Sequence, residues 1–369
     1  MKILYFITEL GLGGAEVLLV NLANKMVSDG HCVSIVALGI VNAHEQRLDS
    51  RITVHLVKMT KNLEGFAKAY RTCLAISRQQ KWDVVHAHMF HANIVARLAR
   101  PFFGGARLIS TAHSNNEGGR ARMLAYRVTD FLSDINTNVS HGALARYVSE
   151  QFFSRAKSIC VYNFVDTKQY SPNLNMRTLM RSQEGLEADA FVMLSVGRLV
   201  PEKHQSLLLH AFAVIARNHP HVRLFLVGDG PERADLEKLA DDLGIMPIVR
   251  FSGSQKNVER WYNAADLFVL TSRIEGFGLV LAEAMACGCP AIATDVGGCA
   301  EVVGDVGTLV PPDSVDTLVE AIRRHISLNA AQRAVLGAAQ RRRVVQLFDI
   351  DNVVVQWQKI YAEGLPELQ

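Results

Sequence analysis

Two carboxylates, Glu275 and Glu283, stand eight positions apart in the segment Glu275-Gly-Phe-Gly-Leu-Val-Leu-Ala-Glu283. Gly276 and Gly278 lie between them and let a ligand approach the main chain closely. Strong helix formers follow over 279–286, which puts the glycines at a helix N-terminus. Unpaired N–H groups and the positive dipole end there favour an anion, typically phosphate. Eight helical residues rise ~12 Å, so Glu275 and Glu283 are expected to address opposite ends of an elongated, phosphate-centred ligand. Such a ligand is a sugar joined to a nucleoside through a diphosphate.

Other segments carry matching chemistry. Val196-Gly197-Arg198-Leu-Val-Pro-Glu-Lys203 follows an apolar strand. The planar guanidinium of Arg198 and the mobile charge of Lys203 together suit a diphosphate. Gly11-Leu-Gly-Gly-Ala-Glu16 opens a helix after the first strand. A dinucleotide loop needs a further glycine and an acid at the end of the second strand. That strand ends Ala37-Leu38-Gly39, which disfavours NAD. His86-Ala-His88-Met-Phe-His91 has the look of a metal cluster, but no cysteine or clear carboxylate completes a tetrahedral set. Polar residues lining a cleft at a strand end, with no metal, are the expectation. Thr111-Ala-His113-Ser-Asn-Asn-Glu117-Gly-Gly-Arg120 closes another strand, and Arg122 and Arg127 follow. These arginines grip an acceptor phosphate or form a solvated helix face, the latter being favoured. Val227-Gly228-Asp229-Gly230-Pro231 is a strand end and sharp turn. An Asp-x-Asp pattern, a spacing that can hold a metal ion, occurs as Asp349-Ile-Asp351, far along the chain from these motifs and a poor metal candidate.

The block from Glu275 through Pro290 to Glu301 resembles the E-x7-E region of retaining glycosyltransferases with the GT-B fold, specifically the large family four, glycosyl transferases group one. The loop at 11–16 is similar to the family's G-x-G-G-x-E loop. The run Gly197 to Lys203 resembles its G-R-L-x-x-x-K signature, with His204 where those enzymes usually carry glycine.

The resemblance implies roles for particular residues. Glu275 orients sugar hydroxyls and Glu283 accepts from the ribose diol. Gly13, Gly14, Gly276, Phe277 and Gly278 bind the donor. Arg198 and Lys203 stabilise the leaving diphosphate, which then needs no cation. His113 contacts the donor sugar near the reacting centre, and His86 and His88 meet the acceptor. Arg120 is an acceptor candidate on its charge and position alone. No pair of carboxylates suited to double displacement is evident, so a front-face reaction is expected.

The expected activity is retaining, metal-independent hexosyl transfer, with no cofactor, from a nucleotide diphosphate sugar. UDP is the default nucleotide. The acceptor is a glycan or lipid-linked saccharide in bacterial surface polysaccharide synthesis. The alternatives are a nucleotide-sugar epimerase of the same fold and a non-catalytic nucleotide-sugar-binding protein.

Positioning these residues requires α/β architecture. Strand-like runs at 2–8, 32–38, 54–57, 84–88, 108–112, 135–139 and 158–162 alternate with helical patterns. So do runs at 192–196, 223–227, 249–252, 267–271, 291–294 and 308–310. The polar stretch 166–190 marks the expected boundary. It separates an acceptor-binding domain, 1–165, from a donor-binding domain, 166–351, two Rossmann-like doubly wound domains facing a central cleft. The last helix, 352–369, packs back on the first domain, as the resemblance implies.

Of 369 residues, 49% are hydrophobic and 20% charged, ordinary for a soluble protein. Six cysteines without Cys-x-x-Cys spacing read as reduced thiols. Apolar runs are strand-length and no signal peptide is read, so a cytoplasmic location is expected. Residues 1–165 hold 19 Lys/Arg against 11 Asp/Glu, whereas residues 166–369 hold 20 against 25. The basic half suggests loose docking on the inner, anionic face of a membrane, and no nucleic-acid partner.

Overall fold

A computed structural model describes residues 1–11, 13–60 and 62–365. Leu12, in the first glycine loop, and residues 366–369 of the expected terminal helix lie outside the described residues. The strands in chain order are β1 (Lys2–Ile7), β2 (Cys32–Ala37), β3 (Thr53–Leu56), β4 (Val84–His88), β5 (Arg107–Ala112), β6 (Ile135–Asn138) and β7 (Ser158–Cys160). They continue as β8 (Phe191–Val196), β9 (Val222–Val227), β10 (Val249–Gly253), β11 (Leu267–Leu270), β12 (Ala291–Thr294) and β13 (Thr308–Val310). Central strands such as β4 are buried along their whole length. A parallel strand covered on both faces is mostly apolar rather than alternating, which is why these short runs read as strands; β4 is an exception in burying His86 and His88.

The chain divides into two compact units. The first is Met1–Asn163 with the terminal segment from Ile350 onward, and the second is Phe164–Asp349. In the first unit the parallel sheet runs β3-β2-β1-β4-β5-β6-β7; in the second it runs β10-β9-β8-β11-β12-β13. Both are doubly wound orders. Chain order reverses between β1 and β4 in one unit and between β8 and β11 in the other. Ligands of such sheets bind outside the carboxyl ends of the strands at this switch point.

The helix Ile350–Glu363 belongs to the first unit. Its Val353, Val354, Trp357, Ile360 and Tyr361 are buried. Trp357 lies 4.6 Å, ring to ring, from His86. The polar stretch 166–190 is not an open linker. Asn173 caps a helix, Leu174–Gln183, by accepting from the Met176 N–H at 2.9 Å. Arg177 and Arg181 of that helix both reach Asp266, at 2.6 and 3.2 Å. Its polarity misled because the helix is fastened by arginines rather than by an apolar stripe.

Candidate functional site

In the second unit the switch point collects the expected donor residues. β8 ends at Val196 and leads into Gly197, Arg198 and the turn Pro201–Lys203. β11 ends at Leu270 and leads through residues 271–278 into the helix Leu279–Ala286. Thr271 fastens the two loops together, its hydroxyl donating to the carbonyls of Lys203 at 3.1 Å and His204 at 3.0 Å. The Arg273 N–H adds a bond to the Glu202 carbonyl at 2.8 Å. Lys203 Nζ forms an ion pair with Glu275 Oε1, which also accepts from Ser272 Oγ at 2.8 Å. Glu275 is buried, whereas Arg198 is exposed. Among the described residues no carboxylate pairs with the Arg198 guanidinium.

Gly278 caps the helix with φ 88°, a left-handed conformation that favours glycine, and contributes no side-chain cap. The first N–H groups of that helix therefore remain available to an anion. His204 takes the left-handed conformation itself, φ 48°, a region that glycine enters freely and that costs another residue ~1–2 kcal/mol.

Glu283 sits in the fifth position of the helix, while Glu275 precedes the helix by four residues. Their separation is therefore not the axial rise of eight helical residues, and that expectation is corrected. Glu283 is buried and accepts from the Tyr262 hydroxyl at 2.8 Å. Phe277 is a core residue, packed edge-on to Phe348 at 5.1 Å, so its ring is not available to a donor.

Gly228 and Gly230 bring a neighbouring loop against this site. Leu199 N–H donates to Asp229 O at 3.0 Å, and Gly197 N–H to Val227 O at 2.9 Å. A Cβ on Gly228 would lie 1.9 Å from the Gly197 carbonyl oxygen, at φ 139°. Gly228→Ala is therefore expected to cost roughly 2–5 kcal/mol through overpacking and backbone strain and to displace the Arg198 loop. Thermal melting with and without UDP checks this. A variant with wild-type melting and a wild-type nucleotide shift would contradict it.

In the first unit the residues gather at the ends of β1, β4 and β5. Gly13 caps the helix Gly14–Ser28, but the Glu16 carboxylate folds back over Gly13. An anion approaching there meets a carboxylate first, so Gly13 and Gly14 are less open than the loop pattern suggests. His86 and His88 share one face of β4, with ring centroids 4.0 Å apart. His86 is fully buried, its Nδ1 bonded to the Tyr361 hydroxyl at 2.7 Å and its Nε2 to Thr111 Oγ1 at 2.6 Å. With both nitrogens engaged it has no hydrogen-bonding capacity left for an acceptor, and its role here is structural.

His88 Nδ1 lies 3.0 Å from His113 Nε2. His88 Nε2 and His113 Nδ1 are enclosed without a hydrogen-bond partner among the described residues. The backbone strains at this point, Met89 turning out of β4 with φ 71°. Burial, reinforced by the neighbouring imidazoles, holds His86 and His88 well below the ordinary histidine range, and burial brings His113 down to about 4. All three are neutral at physiological pH.

Arg120 stands exposed at the start of the helix Arg120–Thr129. Arg122 lies over the Phe90 ring, 5.3 Å from its centroid, and Arg127 donates to Gln151 at 2.7 Å. Among the described residues, the one trio with ligand atoms close enough to share a metal ion is Glu187, Asp189 and His221. It is exposed and contains none of the histidines considered above.

Sequence reasoning did not single out Ser272, Tyr262 or the carboxylate of Glu117. Tyr262 reaches Glu283 across 21 residues, a contact no local spacing signals, whereas Ser272 bonds Glu275 only three residues away and could have been read as its neighbour. Glu117 was visible as an acid in a glycine-rich loop.

Comparison with known proteins agrees with this geometry. Residues 176–343 match the family model Glycosyl transferases group 1, and residues 12–169 match Glycosyltransferase Family 4. The N-acetyl-alpha-D-glucosaminyl L-malate synthase of Bacillus anthracis is 28% identical, covering 96% of this chain and 95% of its own. The D-inositol 3-phosphate glycosyltransferase of Saccharomonospora viridis is 32% identical over 77% of this chain and 70% of its own. The crystal structure of Anabaena HepE in complex with UDP superposes with a TM-score of 0.84 at 24% identity, covering 97% of this chain and 99% of that one. The chain belongs to the group 1 glycosyl transferases, enzymes that transfer sugars, and its two Rossmann-like units have the architecture of the GT-B fold.

Proposed function

We propose that the protein is a retaining hexosyltransferase that takes its sugar from a nucleoside diphosphate sugar, UDP-linked by preference, without a metal ion. The observation that carries the reading is the convergence of Arg198, Lys203, Glu275 and the open helix N-terminus at Gly278 on one switch point. As the glycosidic bond breaks, negative charge grows on the diphosphate. Two cations and oriented N–H groups stabilise that charge directly. Glu275 orients sugar hydroxyls, Glu283 accepts from the ribose, and His113 is the histidine assigned to the donor sugar. Binding of UDP by HepE, whose fold this chain shares, supports the choice of nucleotide. The route is front-face, as expected from a sequence with no evident carboxylate pair suited to double displacement.

The acceptor assigned to the first unit is a glycan or lipid-linked saccharide of a bacterial surface polysaccharide, with His88 and Arg120 as contacts. Two relatives carry the names of smaller anionic acceptors, L-malate and D-inositol 3-phosphate, and this favours a second reading in which the acceptor is a soluble acid. Transfer from UDP-, GDP- and ADP-sugars to both acceptor classes, in excess chelator, tests the proposal. Retained transfer with retention of anomeric configuration is expected. Complete, metal-reversible loss on chelation would reject the cationic mechanism, and conversion of donor without any acceptor would favour an epimerase.

Loose membrane docking belongs to the same proposal. No helix among the described residues is long and apolar enough to cross a membrane. The helix Arg120–Thr129 buries Met123 and Tyr126, yet on its outer side Leu124 and Val128 are 56% and 58% exposed, and Phe131 just beyond is 77% exposed. Arg120 and Arg127 flank this apolar stripe, the composition of a helix lying on anionic lipid. Sedimentation with anionic vesicles should show binding at low salt that is released by high salt. It should weaken at least tenfold in Leu124→Ser/Phe131→Ser. Salt-independent binding, or none, would leave the soluble acceptor.

A further inference from the structure

The loop between β5 and the helix Arg120–Thr129 contains a carboxylate that the transfer chemistry leaves unused. Glu117 Oε1 accepts from the backbone N–H of His113 at 2.8 Å, and Glu117 Oε2 accepts from the Tyr126 hydroxyl. The same hydroxyl accepts from Asn93 Nδ2 at 2.8 Å, and Asn93 also donates to the Thr111 carbonyl at 2.8 Å. Both ends of the His113 loop are thus tied to one buried tyrosine. Tyr126 itself is fixed. It packs edge-on against Phe153 at 5.4 Å and Tyr147 at 5.9 Å, and the buried Arg97 donates to its carbonyl at 3.0 Å. Arg122 closes the loop from outside, donating to the Glu117 carbonyl at 3.2 Å.

We propose that Glu117 is a positioning residue: clamped by Tyr126, its carboxylate fixes the backbone at His113 and so aims the His113 ring. The proposal rests on the transferase reading of His113. It differs from it in assigning the precision of that contact to a side chain that touches no substrate.

An ionised carboxylate accepts both bonds; a protonated one must donate through one oxygen and cannot serve both partners equally. The charged and titratable groups around Glu117 are His113 on its own loop, Tyr126 and Arg122 on the following helix, Arg97 on the helix Phe90–Ala99, and Tyr147 on the helix His141–Ser149. Burial outweighs the two arginines and the hydrogen bonds and pushes the Glu117 carboxyl up to about 7. The clamp is therefore closed above that pH and opens below it, far from the range in which His113 itself takes a proton.

Histidine-ring NMR of the intact free protein, with His113→Gln to assign the signal, tests this without donor or acceptor. The His113 resonance of the wild type should move with a midpoint near pH 7, and Glu117→Gln should abolish that movement while thermal melting stays cooperative. Tyr126→Phe removes a hydrogen bond that favours the carboxylate, so it should raise the midpoint. It keeps the idea testable if Glu117→Gln folds poorly. In the transfer assay Glu117→Gln should lower kcat at least tenfold and leave the donor KM within twofold. An identical pH course of His113 in the wild type and Glu117→Gln, an unmoved midpoint in Tyr126→Phe, or an unchanged kcat in Glu117→Gln would each overturn the proposal. Loss of donor binding in Arg198→Ala is read separately and bears only on the donor site.

Discussion

Arg198→Ala and Lys203→Ala should each slow sugar transfer by roughly 30- to 1000-fold, the rate equivalent of ~2–4 kcal/mol of lost transition-state stabilisation. The two variants should differ in a second measurement. Arg198 is exposed and pairs with no carboxylate among the described residues, so its removal leaves folding alone and the melting temperature should not change. Lys203 is the ion-pair partner of Glu275, which is buried. Removing Lys203 leaves that carboxylate with the Ser272 hydroxyl and no cation, and an uncompensated buried charge is costly. Lys203→Ala should therefore lose both rate and thermal stability. Wild-type rates in both variants would remove these residues from the donor site. A large loss of stability in Arg198→Ala would show that its role is structural.

The first unit should lose stability steeply between about pH 6.5 and 4. His86, His88 and His113 are held neutral in the folded state, below their ordinary value of 6.5, chiefly by burial. An unfolded chain takes up protons at these positions as pH falls through about 6.5, and the folded chain does not. Stability is thus complete above 6.5 and declines as pH falls toward the folded values. For His113, with a folded value of about 4, the loss approaches ~3 kcal/mol at its lower end.

Glu117 acts in the opposite direction. Its raised value makes the folded state the better proton binder from about 7 down to the ordinary glutamate range, and this offsets about one histidine. His86 and His88 remain, so the net sign is acid destabilisation. Hydrogen exchange of the β4 and β5 amides at pH 7.5 and 5 would show it as loss of protection at the lower pH. Equal or greater protection at pH 5 would mean that the buried imidazoles are not neutral as described.

Most of the fold was legible because its strands are short, apolar and parallel. Every strand segment read from the sequence is a strand, with ends moved by no more than two residues. The helix Leu174–Gln183 was not legible, because arginine ladders onto Asp266 replace the apolar periodicity that identifies a helix. The site divides in the same way. Gly197, Arg198, Lys203 and Gly278 lie in the loops after β8 and β11, at the switch point of their sheet, and their residue types are what raised the expectation of an anion site there. Histidines carry no such signal. His86 and His88 are two residues apart on one strand, yet one has both nitrogens engaged within the core and the other keeps an unpartnered Nε2. Only the Tyr361 and Thr111 hydroxyls, 275 and 25 residues away, separate their roles. Glu275 and Glu283 were read as the ends of a helical ruler, but the helix begins between them.

Calorimetric titration of the intact protein with UDP, in the presence of chelator, bears most directly on the claim that the loops after β8 and β11 hold a nucleoside diphosphate. Saturable binding without metal is expected, weakened at least tenfold in Arg198→Ala at unchanged melting temperature, with GDP and ADP binding less tightly. Failure of all three nucleotides to bind, or equal affinity in the wild type and Arg198→Ala, would contradict it.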